Sequence, residues 1–258
     1  MRTRAEMARE DKPLFLSADY SLITDDTGEK DSKLSHQLGL GADYRLGTMS
    51  SVGALVWLEW CNAPPANGDD HGRELHRADY SAYWLFQIEP IRTTVEAGWI
   101  GQTYPNSSGD PAFTHEWYLA LTIDDSKWFR TDMPVLNPYL AYYMDMDDVR
   151  GSWMELGISH CFFLAQMGLE KTPLLKDLSI TPSFLMGVDH RQVKRSTRLA
   201  TLQYGLDICL DLSSALNIPP EHGRLTLSGF LYFRDSLGEM EDEICDRLYG
   251  GLRLGYYW

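Results

Sequence analysis

The stretch LSHQLGLGADYRL puts Leu34, Leu38, Leu40, Ala42, Tyr44 and Leu46 on one parity and Ser35, Gln37, Gly39, Gly41, Asp43 and Arg45 on the other. A period of two kept over so long a run fits an extended chain with one apolar and one polar face. A helix cannot meet it, because helical neighbours recur every three to four residues. The alternation returns along the whole chain: Leu14, Leu16, Ala18, Tyr20 and Leu22; Ala78, Tyr80, Ala82, Trp84, Phe86 and Ile88; Trp117, Leu119, Leu121 and Ile123; Leu136, Leu140, Tyr142 and Met144. It continues through Met154, Leu156, Ile158, Phe162 and Leu164, then Ile180, Phe184, Met186 and Val188, then Ala200, Leu202, Tyr204, Leu206, Ile208 and Leu210, and then Leu225, Leu227, Leu231 and Phe233. The last run, Leu248, Leu252, Leu254, Tyr256 and Trp258, reaches the final residue. Near 52–61 the pattern is broken by Leu55 and Trp57 on the nominally polar side, and near 92–103 the apolar face is only Val95, Ala97 and Trp99. Together these segments predict about twelve strands, separated by turn-rich pieces such as NAPPANGDDHG and NSSGDPA, with no linker dividing them.

Strand length and the character of the polar face separate two architectures. A soluble sandwich or barrel uses strands of roughly 5 to 6 residues and turns a charged face to water. A membrane barrel needs roughly 9 to 11 residues per strand, an apolar band outside and a polar interior. Here the runs are long, the polar parity carries Gly39, Gly41, Gly98, Gly157, Gly187, Gly205, Gly251 and Gly255, and aromatic residues such as Tyr20, Tyr44, Trp60, Trp84, Trp99 and Trp117 lie toward the ends of the apolar runs. No stretch approaches the roughly 18 apolar residues of a membrane helix. The start, MRTRAEMAREDK, lacks the apolar run of about 7 to 15 residues found in a secretory signal. A net charge of -14 argues against nucleic acid as partner. The expected fold is all-β: a single closed antiparallel transmembrane barrel of about twelve strands in up-and-down order, spanning residues 13–258 after an N-terminal tail of residues 1–12. A soluble all-β binding protein is the alternative.

On these runs the chain resembles bacterial outer-membrane β-barrel proteins of the porin type, and the resemblance covers it from about Pro13 to Trp258. Leu252, Leu254, Tyr256 and the terminal Trp258 resemble the C-terminal strand that the barrel-assembly machinery recognises in such proteins. The segment NPYLAYYMDMDDVRGSWMELGISHCFFL resembles a porin hairpin, with Pro138, Tyr142, Tyr143, Asp145, Gly151, Glu155, Gly157 and His160 in matching places. The resemblance implies the bacterial outer membrane, membrane lipid and the assembly machinery as partners, and both termini in the periplasm. The outer loops would then be 25–33, 62–73, 105–112, 146–151, 190–196 and 236–244. Several are acidic (DDTGEKD, GDD, DMDD, EMEDE), which reads first as solvated loop and second as a place for divalent cations between lipid phosphates. The opposite connections, DDSKWFRTDMP, AQMGLEKTPLLKD and SSALNIPPEHG, are long for periplasmic turns.

Parity places Asp19, Asp43, Glu59, Asp79, Glu96, Glu116, Asp145, Glu155, Asp189, Asp207 and Asp211 inside, with Arg45, Arg77, Arg92, Arg224, Arg234, Arg247 and Arg253. Twelve strands fall between the roughly eight whose interior fills and the roughly sixteen that leave a wide channel. The expected function is a narrow channel for small solutes or ions, its lumen lined by Asp19, Asp43, Arg45, Glu59, Arg92, Glu96, Glu116, Asp145, Glu155, Asp207, Arg247 and Arg253. A non-conducting structural or enzymatic barrel is the second reading. Catalysis is not expected, because Ser159 and His160 are adjacent, point to opposite faces and cannot act as nucleophile and base. His160 reads as a polar group on the lipid face satisfied by a neighbour, and His36 and His115 as interfacial. Cys61, Cys161, Cys209 and Cys245 lack the spacing of a zinc site and are expected to be thiols, so no metal or cofactor is expected. Leu252→Arg is expected to hinder insertion far more than Gly251→Ser.

Overall fold

The long alternating runs become strands, and each stave of the wall they build pairs with the next. The computed structural model describes residues 13–26, 33–62, 74–105, 113–147, 151–190, 196–238 and 246–258. The strands are β1 (Leu14–Asp26), β2 (Lys33–Arg45), β3 (Ser50–Asn62), β4 (Glu74–Ile88), β5 (Thr93–Thr103), β6 (Phe113–Ile123), β7 (Tyr139–Asp145), β8 (Ser152–Ser159), β9 (Phe162–Phe163), β10 (Leu178–His190), β11 (Thr197–Asp211), β12 (Arg224–Ser236) and β13 (Arg247–Tyr257). All belong to one antiparallel sheet in sequence order, and β13 pairs with β1 to close it. The two-residue β9 keeps the register of β8 against β10, so the barrel wall has twelve staves. Closure removes the unpaired edge that apolar strands this long would otherwise expose. At the seam, Leu16 and Trp258 exchange both backbone hydrogen bonds, at 2.7 and 2.9 Å.

The two parities take the faces expected of a membrane barrel. Leu40, Tyr44, Trp84, Trp117, Tyr204, Leu231, Leu252 and Trp258 are exposed on the outer wall, and Leu252 keeps 58% of its surface open. Residues buried inside are mostly small and polar, among them Ser21, Ser51, Thr201, Thr226 and Ser228. A soluble barrel would show the reverse, so the structure rejects the soluble alternative on facing alone. Leu55 and Trp57 point inward with Gly53 and Glu59. The Trp57 ring lies over Gly39 on β2, in space that a Cβ at Gly39 would occupy.

Three local irregularities depart from simple alternation. Register shifts at Glu59/Trp60 between β3 and β4 and at Gly187/Val188 between β10 and β11, each a bulge that adds one residue to one strand. The third is the gap at His160–Cys161 between β8 and β9. His160 donates its backbone N–H to the carbonyl of Pro182 across the sheet at 3.2 Å. In an antiparallel pair of this kind the opposite residue would donate back, and Pro182 has no N–H to give. The run expected from Met154 to Leu164 is therefore split. The run that begins at Leu136 is likewise shorter than expected, since β7 starts at Tyr139 and Leu136 lies in the preceding connection.

The long connections at the end that holds both termini are structured. Residues 124–138 carry the short helix Ser126–Phe129, residues 164–177 carry two 3-10 turns, and residues 212–223 carry the helix Leu212–Ala215 and a 3-10 turn. Asp125, fully buried, accepts hydrogen bonds from the N–H groups of Val135 and Leu136 at 2.7 and 2.8 Å and so folds the first connection back on itself. The outer loops at the opposite end, including the acidic segments and Cys245, lie largely outside the described residues, as does the tail of residues 1–12.

Candidate functional site: the charged inner wall

The inward carboxylates are held chiefly by tyrosines. Tyr83 on β4 donates its hydroxyl to Asp43 on β2 at 2.5 Å, passing over Gly53 on β3. There a side chain larger than hydrogen would collide with the Tyr83 ring, so the intervening strand needs a glycine to let the phenol across. Tyr118 donates to Glu96 at 2.5 Å, Tyr232 to Asp207 at 2.5 Å and Tyr257 to Asp19 at 2.9 Å. Gly98 and Gly205, each on the same strand as the acceptor, leave room for the rings of Tyr118 and Tyr232 reaching over from the neighbouring strand. Tyr249 stacks on Tyr232 with centroids 5.3 Å apart and donates to Gln203 at 3.1 Å.

Arginine neutralises fewer of these acids. Arg77 grips Asp79 with two bonds of 2.7 Å, and Arg224 bonds Asp211 at 2.6 Å. Arg253 donates to the Ser21 hydroxyl at 3.2 Å and lies over the Phe230 ring at 5.2 Å, a cation–π contact. Glu59 lies opposite Arg77 in the β3–β4 register, and Arg247 lies opposite Arg234 between β13 and β12. Arg45 closes the inner row of β2, and among the described residues its buried Nη2 has no hydrogen-bond partner.

The charges divide by position around the barrel. Four consecutive strands carry Glu96 on β5, Glu116 on β6, Asp145 on β7 and Glu155 on β8, and no inward base. Glu116 and Asp145 are direct cross-strand partners. Glu155 accepts the Trp153 indole N–H at 3.3 Å, and the Asp145 carboxylate accepts the Asp147 backbone N–H at 2.8 Å. Half-way round the closed order stand β12 and β13 with Arg224, Arg234, Arg247 and Arg253. Between the walls project Trp57, Tyr118, Tyr139, Tyr143, Trp153 and Phe230, and Tyr118 and Tyr143 stack at 5.8 Å.

Asp19, Asp43, Arg45, Glu59, Glu96, Glu116, Asp145, Glu155, Asp207, Arg247 and Arg253 lie on wall strands, on the parity opposite the exposed apolar residues. Arg92 instead follows the 3-10 turn Glu89–Ile91, in a left-handed conformation with φ 48°, exposed, and bonded to Asp124 and Ser126 in the neighbouring connection. Parity missed Arg198. The extra residue of β11 at Ala200 reverses the alternation below it, so Arg198 falls opposite Asp189 on the inner wall. His160 sits on the outer face with Nδ1 2.7 Å from the Val135 carbonyl, while Ser159 faces inward toward Asn137. His36 meets the Tyr20 hydroxyl at 2.6 Å on the outer wall, and His115 packs against Phe113 and Trp99.

No family model matches the chain. None of the curated proteins matches it either. Among solved structures, the COG4313 outer membrane channel from Pseudomonas putida F1 superposes with a TM-score of 0.55 at 9% identity, covering 95% of this chain and 95% of that one. The NanC porin superposes with a TM-score of 0.51 at 10% identity, covering 93% of this chain and 98% of that one. At such identities the likeness speaks for the fold alone, a closed twelve-stranded antiparallel β-barrel.

Proposed function

We infer that the protein is a channel of the bacterial outer membrane that passes small solutes or ions through a narrow, charged lumen. The observation that carries this reading is the inner wall itself, where a continuous carboxylate face on β5–β8 stands across the barrel from the arginines of β12 and β13. A barrel serving only as an anchor needs no such arrangement, and low-dielectric walls concentrate the field of charges placed this way. The fold shared with a COG4313 channel and the NanC porin supports the reading. Inward carboxylates outnumber inward arginines, and tyrosine hydroxyls hold Asp19, Asp43, Glu96 and Asp207 without cancelling their charge. The lumen therefore favours small cations and neutral solutes over anions. Glu96, Glu116 and Glu155 set the selectivity, and Arg247 and Arg253 narrow the passage.

Planar-bilayer recording under a salt gradient tests this. A reversal potential of cation-selective sign is the expected result, shifted toward zero in Glu96→Gln/Glu116→Gln. An anion-selective sign refutes the charge argument. The second reading, a non-conducting barrel, draws on the inward rings of Trp57, Trp153 and the stacked Tyr118 and Tyr143. An inserted, folded barrel that carries no current would establish it.

A further inference from the structure

One line of inward rings runs straight across the wall. In cross-strand register Tyr83 on β4 faces Gly98 on β5, Gly98 faces Tyr118 on β6, Tyr118 faces Tyr143 on β7, and Tyr143 faces Trp153 on β8. The strands of a closed barrel tilt, so this row climbs from the middle of β4 to the end of β8 opposite the termini. Its central pair, Tyr118 and Tyr143, stacks with centroids 5.8 Å apart. Carboxylates occupy the inner rows on both sides of that pair. Glu96 and Glu155 share one row, with only Ala120 and Ala141 between them, and Glu116 faces Asp145 in the other. The two rings and the four acids are all half-buried, so each keeps surface open to the lumen. The polar hydrogens along the row are largely committed. Tyr118 donates to Glu96 at 2.5 Å, the Trp153 indole donates to Glu155 at 3.3 Å, and the hydroxyls of Tyr139 and Tyr143 bond each other at 3.2 Å. What the row offers a solute is therefore aromatic face and carboxylate oxygen. Among the described residues no three acids gather closely enough to hold a metal ion, so the negative charge surrounds the rings and is not focused at a point.

We propose that this row is a binding site for organic cations, with an alkylammonium head seated against Tyr118 and Tyr143 between the four carboxylates. An ammonium group clothed in methyls carries a diffuse charge, is attracted to ring faces, and needs no oxygen in direct coordination. A hard metal ion demands several oxygens in contact, which this spacing does not supply. A sugar stacks on rings of the same kind, but its hydroxyls call for donors as well as acceptors, and the donors here are taken. As the cargo of the proposed channel this solute rests on that reading; as a ligand of the wall it is detected without any current.

The test titrates the full chain, folded in detergent at low ionic strength, with tetramethylammonium chloride, sodium chloride and glucose in a calorimeter. Saturable binding of tetramethylammonium alone is expected. Tyr118→Leu/Tyr143→Leu, which removes both rings, should weaken it about tenfold, the loss of a desolvated cation–π contact. Tyr118→Phe/Tyr143→Phe, which keeps the rings, should retain it. Glu116→Gln/Asp145→Asn leaves the rings and the bonds to Glu96 and Glu155 in place and should also weaken binding, so the proposal stays open to refutation if the leucine variant does not reach the heat-modifiable, folded form. Absence of saturable tetramethylammonium binding overturns the proposal. Among folded variants, so does unchanged affinity in the leucine or the amide pair, or lost affinity in the phenylalanine pair. Saturable binding of glucose in place of tetramethylammonium overturns it as well and assigns the row to sugars. Planar-bilayer current tells the two readings apart: cation-selective current without tetramethylammonium binding keeps the channel and defeats the site, and binding in a barrel that carries no current keeps the site and defeats the channel.

Discussion

Leu252 and Gly251 are neighbours on β13 that answer to different physics. Leu252 points to lipid, and an arginine there near the bilayer midplane costs about 2 to 4 kcal/mol. Leu252→Arg should therefore lower the yield of heat-modifiable, folded barrel, whereas Thr94→Ser on the inner wall should leave it unchanged; equal yields would contradict the facing. Alternation alone makes Gly251→Ser look harmless, because serine suits a polar interior. The structure reverses that expectation. A Cβ on Gly251 would run into the backbone carbonyl of Leu22 on β1, and backbone cannot swing aside as a side chain can. Gly251→Ser is thus expected to weaken the β1–β13 seam, and it does not serve as the neutral control. What was hidden at this scale is distance across the seam, which depends on a partner more than two hundred positions away in the chain.

Strands are legible where one parity stays apolar, and they blur where a residue serves the interior by other means. In β3, Leu55 and Trp57 break the alternation because the space over Gly39 accepts a large ring. In β11 the bulge inverts the parity of Arg198, which no count of alternate residues reveals. The split between β8 and β9 has a one-residue cause, and Pro182→Val tests it. Restoring the N–H opposite His160 should join the two pieces, adding about 0.5 to 1.5 kcal/mol and a protected amide at 182 in hydrogen exchange; an unprotected amide there would leave the gap without its explanation. The connection after β6 responds to acid. Partial burial alone would raise the pKa of Asp124, but hydrogen bonds from Ser126 and the charge of Arg92 outweigh it and hold the group below the usual carboxylate range. A carboxylate lowered in the folded state contributes stability that is present above its unfolded value and lost as pH falls through the folded one. The connection should accordingly loosen at acid pH, read as Trp128 emission against pH, and Asp124→Asn should flatten that part of the curve.

For the whole molecule, the fold class, strand order and strand pairing followed from periodicity, since a dozen amphipathic strands with no edge to spare have few arrangements other than a meander that closes on itself. The tyrosine–carboxylate bonds did not, because alternation gives the face of a side chain and not its reach: Tyr83 crosses a whole strand over Gly53, and Tyr257 meets Asp19 only where the barrel closes. Closure concentrates its dependence on the last residue. Removing Trp258 deletes both backbone bonds to Leu16 at the seam, together with an outward indole, and is expected to reduce folding into the heat-modifiable form well beyond the removal of a frayed terminus. Full folding of the truncated chain would show that the seam is held elsewhere.

A phenol that donates to a carboxylate restrains it without discharging it. Asp19, Asp43, Glu96 and Asp207 are therefore fixed in place while their formal charge persists, much as sulfonates are fixed to the beads of an exchange resin. In the proposed channel, where inward carboxylates exceed inward arginines, the remaining charge has to be met by mobile counter-ions drawn from the surrounding solution, so the water inside the wall differs in ionic composition from the water outside it even at rest, with no gradient applied and no solute in transit.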